Sequence, residues 1–102
     1  MKQSIVLTLQ GLGIPVAYSH FKTAQQPPFV VYIGNGQNTF EGDDTHYWRQ
    51  NTYQVEYYFE KKDEAVETSI EDALLAGGWL YEKSEDTFIE SEGLFVIYYQ
   101  IS

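Results

Sequence analysis

The stretch YQVEYYFEKKDEAVETSIEDALLAGG, residues 53–78, joins an alternating segment to an amphipathic one. In the first part, apolar and aromatic residues occupy every second position, as on one face of a β-strand. The residues of that face are Tyr53, Val55, Tyr57 and Phe59. The residues between them are mostly polar, so the pattern predicts a strand with one buried face.

The second part has the spacing of a helix packed on one side. Asp63 is suited to the N-cap, and Gly77 and Gly78 are suited to ending the helix. The stripe predicted to be buried consists of Val66, Ile70, Ala73 and Leu74. The face predicted to lie in water consists of Glu64, Glu67, Thr68, Glu71 and Asp72. We therefore expect a helix over residues 63–76 that packs on a sheet containing the preceding strand.

The rest of the chain supplies weaker elements of the same two kinds. A short N-terminal helix is expected within residues 2–12, where apolar residues recur at helical spacing before Gly11, Gly13 and Pro15. Further strand segments are expected at residues 15–21, 29–33, 79–85, 87–92 and 94–102, the fourth being a short strand or a continuation of the third. This order predicts a single α+β domain over residues 1–102. Its sheet is mostly antiparallel, with the short helix and the main helix packed on one face.

One connection is longer than a hairpin needs. The stretch IGNGQNTFEGDDTHYW, residues 33–48, lies between two predicted strands and is rich in glycine, asparagine and aspartate. Hairpins usually close in about two to five residues. Because Gly, Asn and Asp favour turns, we expect a long flexible hairpin loop over residues 34–46.

Composition excludes some classes of function. The chain has no cysteine, which excludes a disulfide scaffold, a thiolate zinc site and a cysteine nucleophile. Its formal charge of −9, from fifteen acids against six lysines and arginines, disfavours stable binding to nucleic acid. Polar residues interrupt the apolar N-terminal segment, so neither a signal peptide nor a membrane span is expected. We expect a soluble protein made in the cytoplasm.

No catalytic or metal-binding motif stands out. The segment EGDDTHYW, residues 41–48, groups acids with His46, but it lacks the spacing of a calcium loop. A solvated loop tip is the favoured interpretation. The GNG at residues 34–36 is not followed by the sequence of a phosphate loop. A triad assembled from distant residues stays open, but the residues favour a binding or assembly module over an enzyme and predict no cofactor and no metal.

Two segments resemble a known family. IPVAYSHFKTAQQPPFVVYI, residues 14–33, and the stretch from YQVEYYF to FVIYYQ, residues 53–100, occur in the same order as similar segments of small tail-completion proteins. Those proteins belong to siphophages and prophages of Gram-positive bacteria. In that family a short helix precedes a PVAY-x-x-F segment, PPF leads into an apolar strand, and the ending resembles YEKSE…IESE-x-L-x-x-x-Y-Y. No single motif is diagnostic, but the ordered set covers nearly the whole chain.

The resemblance implies a structural role without catalysis. Tail-terminator and tail-to-head joining proteins have α+β folds and form hexameric rings that cap the tail tube and dock it to the capsid. The implied partners are other copies of the chain, the tail-tube protein and head-connector proteins, and the implied location is the virion after assembly in the host cytoplasm. DNA would pass through the ring without stable contact, and an acidic lumen would keep phosphates from sticking.

In such rings an extended hairpin or loop reaches a neighbouring subunit or the tube. The resemblance therefore implies that residues 34–46 form an arm that becomes ordered on assembly. The candidate partner-binding residues are Asn35, Gln37, Asn38, Phe40, Asp43, Asp44, His46, Tyr47 and Trp48. The alternatives are a small acidic inhibitor that mimics DNA, another protein-binding module, and a small hydrolase or metal-dependent enzyme.

Overall fold

The protein is described by a computed structural model of residues 2–41 and 47–102, in which only the backbone is described at residues 37–41 and 47–50. The helices are α1, Ile5–Gln10, and α2, Glu64–Ala76. The strands are β1, Val16–Tyr18; β2, Phe29–Glu41; β3, Tyr47–Phe59; β4, Tyr81–Lys83; β5, Thr87–Ile89; and β6, Leu94–Ile101. The predicted α+β class, with a short N-terminal helix and one main helix, is confirmed.

The described strands form one mixed sheet of six. Its order is β1-β2-β3-β6-β4, and β5 also pairs with β6. Only β1 and β2 are parallel, so the sheet is mostly antiparallel as predicted. β4 and β5 pair with different halves of β6, on the side away from β3, where Tyr81 lies opposite Ile101 and Thr87 lies opposite Val96. Each outer strand of the sheet is therefore three residues long.

Helix α2 begins and ends where the sequence predicts. The Asp63 side chain accepts a hydrogen bond from the backbone N–H of Ala65 at 3.1 Å. At the other end the N–H of Gly77 bonds to the carbonyl of Ala73 at 3.0 Å, and Gly78 has a φ of 86°. That φ lies in the left-handed region, which glycine adopts without steric cost.

The core lies between the two helices and one face of the sheet. Ile70 and Leu74 of α2 are fully buried there, with Val66 half-buried beside them. The buried members of this core are Ile5, Leu9, Val30, Val55, Tyr57, Phe59, Ile70, Leu74, Trp79, Ile97, Tyr99 and Ile101. The predicted strand face is thus the one that α2 covers, and alternate residues of β6 (Ile97, Tyr99 and Ile101) join the same core.

Helix α1 is short and depends on its neighbours. Ser4 caps it by accepting a hydrogen bond from Leu7 N at 3.2 Å, and Ile5 and Leu9 enter the core. Trp79, directly after α2, donates its Nε1 hydrogen to the carbonyl of Gln3 at 3.1 Å. A helix of this length is not stable by itself, so these tertiary contacts hold it in place.

The prediction that Glu67 faces water is wrong. Only 2% of Glu67 is exposed. Its carboxylate lies within ion-pair distance of Lys62 and Lys83, and these two cations offset the cost of burying a charge. Glu71 is also less exposed than predicted, with 20% of its side chain accessible beside Lys83.

The long hairpin is present, but its arms are paired strands instead of a loop. β2 continues through Gly34 and Gly36 to Glu41, which lies opposite Tyr47 of β3. The pairing shifts register between Gly34 and Gln37, and Gly36 has a φ of 91°, so glycine accommodates the irregularity. Main-chain pairing therefore outweighs the turn preference of the asparagine and glycine residues here. Residues 42–46 lie outside the described residues.

Candidate assembly surface

The two longest strands extend beyond the rest of the sheet. β1 pairs with β2 only at residues 30–32, and β6 pairs with β3 only at residues 53–59. Beyond those positions the described parts of β2 and β3 pair with each other alone. We call residues 34–41 and 47–52 the ribbon. The molecule is elongated, measuring 51 × 26 × 25 Å, and its radius of gyration of 15.0 Å exceeds the about 13 Å expected for a compact chain of this length.

The base of the ribbon is held by a side chain as well as by strand pairing. The Thr52 hydroxyl lies 2.9 Å from the carbonyl oxygen of Asn35 and 3.1 Å from that of Gly36, and it donates to this pair. Both carbonyls belong to the irregular segment of β2, where regular pairing is interrupted. The hydroxyl thus provides a hydrogen-bond donor for two carbonyl groups at the interruption of the strand pairing. It also fixes the point from which the ribbon leaves the sheet.

Six of the nine candidate partner-binding residues lie on the ribbon. Asn35 is at its base, and the main-chain register places Gln37 opposite Asn51 and Asn38 opposite Gln50. Farther along the ribbon, the same register places Phe40 opposite Trp48 and Tyr47 opposite Glu41. Asp43, Asp44 and His46 lie outside the described residues. Strand pairing thus brings together, on one projection, candidate residues that are up to thirteen positions apart in the chain.

The face of the sheet away from the helices carries a continuous chain of hydrogen-bonded side chains, here called the polar ladder. Asn35 Nδ2 donates to Gln100 Oε1, and Gln100 Nε2 donates to Gln54 Oε1 at 2.6 Å. Gln54 Nε2 then donates to Glu56 Oε2 at 2.9 Å, and Tyr58 OH donates to Glu56 Oε1 at 2.6 Å. The ladder connects the ribbon base to β6 and then runs along β3. Sequence alternation predicts the Gln54–Glu56–Tyr58 part but not the link from Asn35 to Gln100.

On the face of the sheet that the helices cover, a second set of polar side chains lies at the margin of the core. Lys83 Nζ lies 2.8 Å from Glu67 Oε1 and 2.9 Å from Glu71 Oε2. Lys62 Nζ lies 2.8 Å from Glu67 Oε2 and 3.1 Å from Asp86 Oδ2. We call these five residues the lysine–glutamate cluster. It joins α2 to strand β4 and to the segments that precede α2 and β5.

The electrostatics of the cluster follow from burial and pairing acting in opposite directions. Burial alone would raise the pKa of Glu67, but the hydrogen bonds from Lys62 and Lys83 outweigh it and hold that pKa below its usual value. Burial would likewise raise the pKa of Glu71, which hydrogen bonds from Lys83 and Tyr99 keep low. Tyr99 donates to Glu71 Oε2 at 2.8 Å, and burial together with this carboxylate raises the pKa of the phenol. Glu67 and Glu71 are therefore ionised and paired near neutral pH, and the cluster links α2 to its neighbours.

Sequence reasoning missed this cluster, although one signal was present. Lys83 alternates with Tyr81 and Trp79 in the segment 79–85, which places the lysine on the inward face of its strand. A lysine on the helix side of its strand is a natural partner for acids of the helix, because a carboxylate buried there needs a cation beside it. The helix offers Glu67 and Glu71 one turn apart, and both meet Lys83.

A shallow groove lies beside the base of the ribbon. Its volume is about 640 Å³, and it is bordered by Asn35 and Thr52 on one side and by Leu75 and Leu80 on the other. The two leucines are 52% and 69% exposed. Ribbon, polar ladder and groove thus adjoin one another at one end of the sheet.

Within the described part of the chain, no group of three or more histidine, aspartate or glutamate side chains is placed to hold a metal ion. None of the described helices combines the length and the apolar character that crossing a bilayer would need. The sequence matches no protein-family model and no curated protein.

Proposed function

We propose that the chain is a non-enzymatic structural protein of a phage virion, which caps the tail tube or joins the tail to the head as a ring of its own copies. The observation that carries the proposal is the ribbon, whose described strands pair with each other and with no third strand. The resemblance of the chain to phage tail-completion proteins supplies the class of assembly.

A ring of identical subunits needs two different surfaces on each subunit, one that reaches out and one that receives. The ribbon is suited to reaching out, because its outer edges carry main-chain groups that a strand or loop of another chain can pair with. The groove beside its base is suited to receiving, because Leu75 and Leu80 present apolar surface there. The proposal places contacts between copies, and with the tail tube, at these two surfaces.

The charge of the chain agrees with a ring through which DNA moves. The net charge of −9 repels phosphates, so DNA can pass without being retained. The rival role, an inhibitor that mimics DNA, needs a continuous acidic face. Glu67 and Glu71 do not contribute to such a face, because Lys62 and Lys83 pair with them. This pairing favours the structural role.

The test is complementation of a phage from which this gene has been removed. The variant removes residues 37–51 and joins Gly36 to Thr52, which leaves Asn35-Gly36-Thr52 to connect the paired positions Gly34 and Tyr53. Asn-Gly is a favoured hairpin turn, so the shortened strands can still close. We expect capsids and tails that do not join, seen by electron microscopy.

The control is Leu7→Ala, which alters a residue of α1 that is 59% exposed and is not part of the ribbon. We expect this variant to restore normal virions. Normal virions from the shortened chain would contradict the proposed function of the ribbon, provided that the shortened chain is present at the level of the control.

A further inference from the structure

The helix-free face of the sheet contains a small aromatic pocket at the end of the polar ladder. Its volume is about 230 Å³, and its walls include Phe21, Phe29, Tyr58 and Glu92. Phe29 and Tyr58 lie directly opposite each other on β2 and β3, while Phe21 comes from the loop after β1. The pocket and the lysine–glutamate cluster share no residue, and the cluster lies on the face of the sheet that α2 covers.

The three rings form a shelf with a wall. Phe29 and Tyr58 are stacked, with centroids 4.9 Å apart and planes 24° apart. Phe21 stands nearly perpendicular to Phe29, with centroids 5.3 Å apart and planes 80° apart. The packing therefore brings three aromatic rings together in the wall of the pocket. A cation within about 6 Å of a ring centroid is attracted by the negative face of the ring.

The pocket is also electronegative. Tyr58 OH donates to Glu56 at 2.6 Å, and Glu92 lines the pocket. Burial, the hydrogen bond to Glu56 and the charges of Glu56 and Glu92 together raise the pKa of Tyr58, so the phenol keeps its proton. In the described part of the chain neither carboxylate forms an ion pair with a lysine or arginine. The pocket, which His20 also lines, thus combines aromatic rings with carboxylates that no described lysine or arginine pairs with.

We propose that this pocket binds the guanidinium group of an arginine side chain on a partner protein. A guanidinium is planar, so it stacks on an aromatic shelf, and its forked N–H groups match a carboxylate such as Glu92. The ammonium of lysine is a point charge that stays more strongly hydrated and fits a flat shelf less well. The arginine of the partner is positively charged and this chain has a net charge of −9, so long-range electrostatic attraction adds to the local contacts. The proposal is independent of the ring function.

The test titrates the full chain with N-acetyl-arginine methylamide and follows its amide and aromatic signals by NMR. The neutral citrulline analogue has nearly the same shape without the charge, and the lysine analogue has the charge without the plane. We expect saturable shifts at Phe21, Phe29 and Tyr58 with the arginine compound, weaker shifts with the lysine compound, and none with citrulline. Equal shifts with citrulline, or shifts spread over the acidic surface, would overturn the proposal.

Two glutamates of one turn give a matched pair of variants. Glu92 borders the pocket, whereas Glu90 is exposed two residues earlier and does not border it. Glu92→Gln should weaken binding of the arginine compound about fivefold, the effect of losing an exposed ion pair of about 1 kcal/mol. Glu90→Gln, which changes the net charge equally, should weaken binding less than about twofold. Equal weakening by both variants would show that the arginine compound is attracted by the net charge alone, and it would contradict binding in this pocket.

Phe21→Leu removes one aromatic wall while keeping an apolar side chain. Its ring lies in a loop, so the strands that carry Phe29 and Tyr58 stay paired. We expect the preference for arginine over lysine to fall in this variant, with the overall fold checked by circular dichroism. An unchanged preference in the folded variant would show that the rings do not recognise the cation.

Discussion

The packed part of the molecule and the ribbon are stabilised in different ways. In the packed part, side chains determine the structure: α2 buries Ile70 and Leu74 on the sheet, Asp63 caps it, and Lys83 pairs with its glutamates. In the ribbon, main-chain pairs between β2 and β3 run along its described length, with side-chain hydrogen bonds of Thr52 and Asn35 at the base. A two-stranded hairpin is only marginally stable in water, so the ribbon depends on the sheet from which it extends. The stability of the fold and the surface offered to partners are therefore separable.

The largest effect on stability is expected in the core. Ile70→Ala should lower the free energy of unfolding by about 2–5 kcal/mol, because Ile70 is fully buried between α2 and the sheet. Leu75→Ala on the same helix is the control, since Leu75 is 52% exposed, and its effect should stay within about 0.5 kcal/mol. Urea denaturation measures both. Similar losses in the two variants would mean that this side of α2 is not the packed side.

A smaller loss is expected at the lysine–glutamate cluster. Glu67→Gln should lower the free energy of unfolding by about 1–3 kcal/mol, because it removes the charge that Lys62 and Lys83 share. The two lysines are partly exposed, at 45% and 34%, so water compensates for part of the lost pairing. Asp72→Asn, at an exposed position of the same helix, is the control and should change stability by less than about 0.5 kcal/mol.

The same cluster predicts how stability depends on pH. Pairing lowers the pKa of Glu67 and Glu71 in the folded protein below the usual value of 4.5. A carboxylate with a lowered folded pKa adds stability above its unfolded pKa and loses it as the pH falls through the folded pKa. Stability should therefore decline below pH 4.5, and Glu67→Gln should decline less steeply than the parent chain. Parallel pH profiles, measured by urea denaturation, would show that Glu67 is not linked to this decline.

The smallest effect on stability is expected from removing the ribbon. Deletion of residues 37–51 with Gly36 joined to Thr52 should change the free energy of unfolding by about 1 kcal/mol or less, because the described core residues all lie outside the deleted segment. Far-UV circular dichroism and urea denaturation check this. A loss as large as that of Ile70→Ala would show that the ribbon and the packed part fold as one unit, and the comparison between them would then fail.

Much of the packed part could be predicted, because its signals are local. The alternation at residues 53–59, the stripe of α2 and its caps all lie within one stretch of the chain, and the structure bears out each of them. The burial of Glu67 could not be deduced in this way. Its partner Lys83 comes from a strand sixteen residues away, and a pattern of polar and apolar residues places every glutamate in water.

The ribbon and the polar ladder were harder to predict for a related reason. Main-chain pairing between strands does not depend on the type of side chain, so it leaves no signal in the amino-acid composition. Glycine and asparagine at residues 34–38 therefore indicate a loop, even though β3 lies opposite this segment. The contact between Asn35 and Gln100 joins residues sixty-five positions apart and depends on the order of the strands. The candidate partner-binding residues were chosen because the resemblance to tail-completion proteins implies an arm in this segment. Their role stays a prediction.

The three-residue outer strands bear on how the protein behaves when it is concentrated. A long, uncovered strand at the margin of a sheet invites indiscriminate joining with other chains and, in the extreme, fibre formation. β1, β4 and β5 are each three residues long, which leaves little of the main sheet for such joining. Among the described residues of the longer strands, the longest run without a third strand is the ribbon. At high concentration the described part of the sheet thus resists indiscriminate joining, while the ribbon keeps a longer stretch of main chain open to strand-to-strand contact.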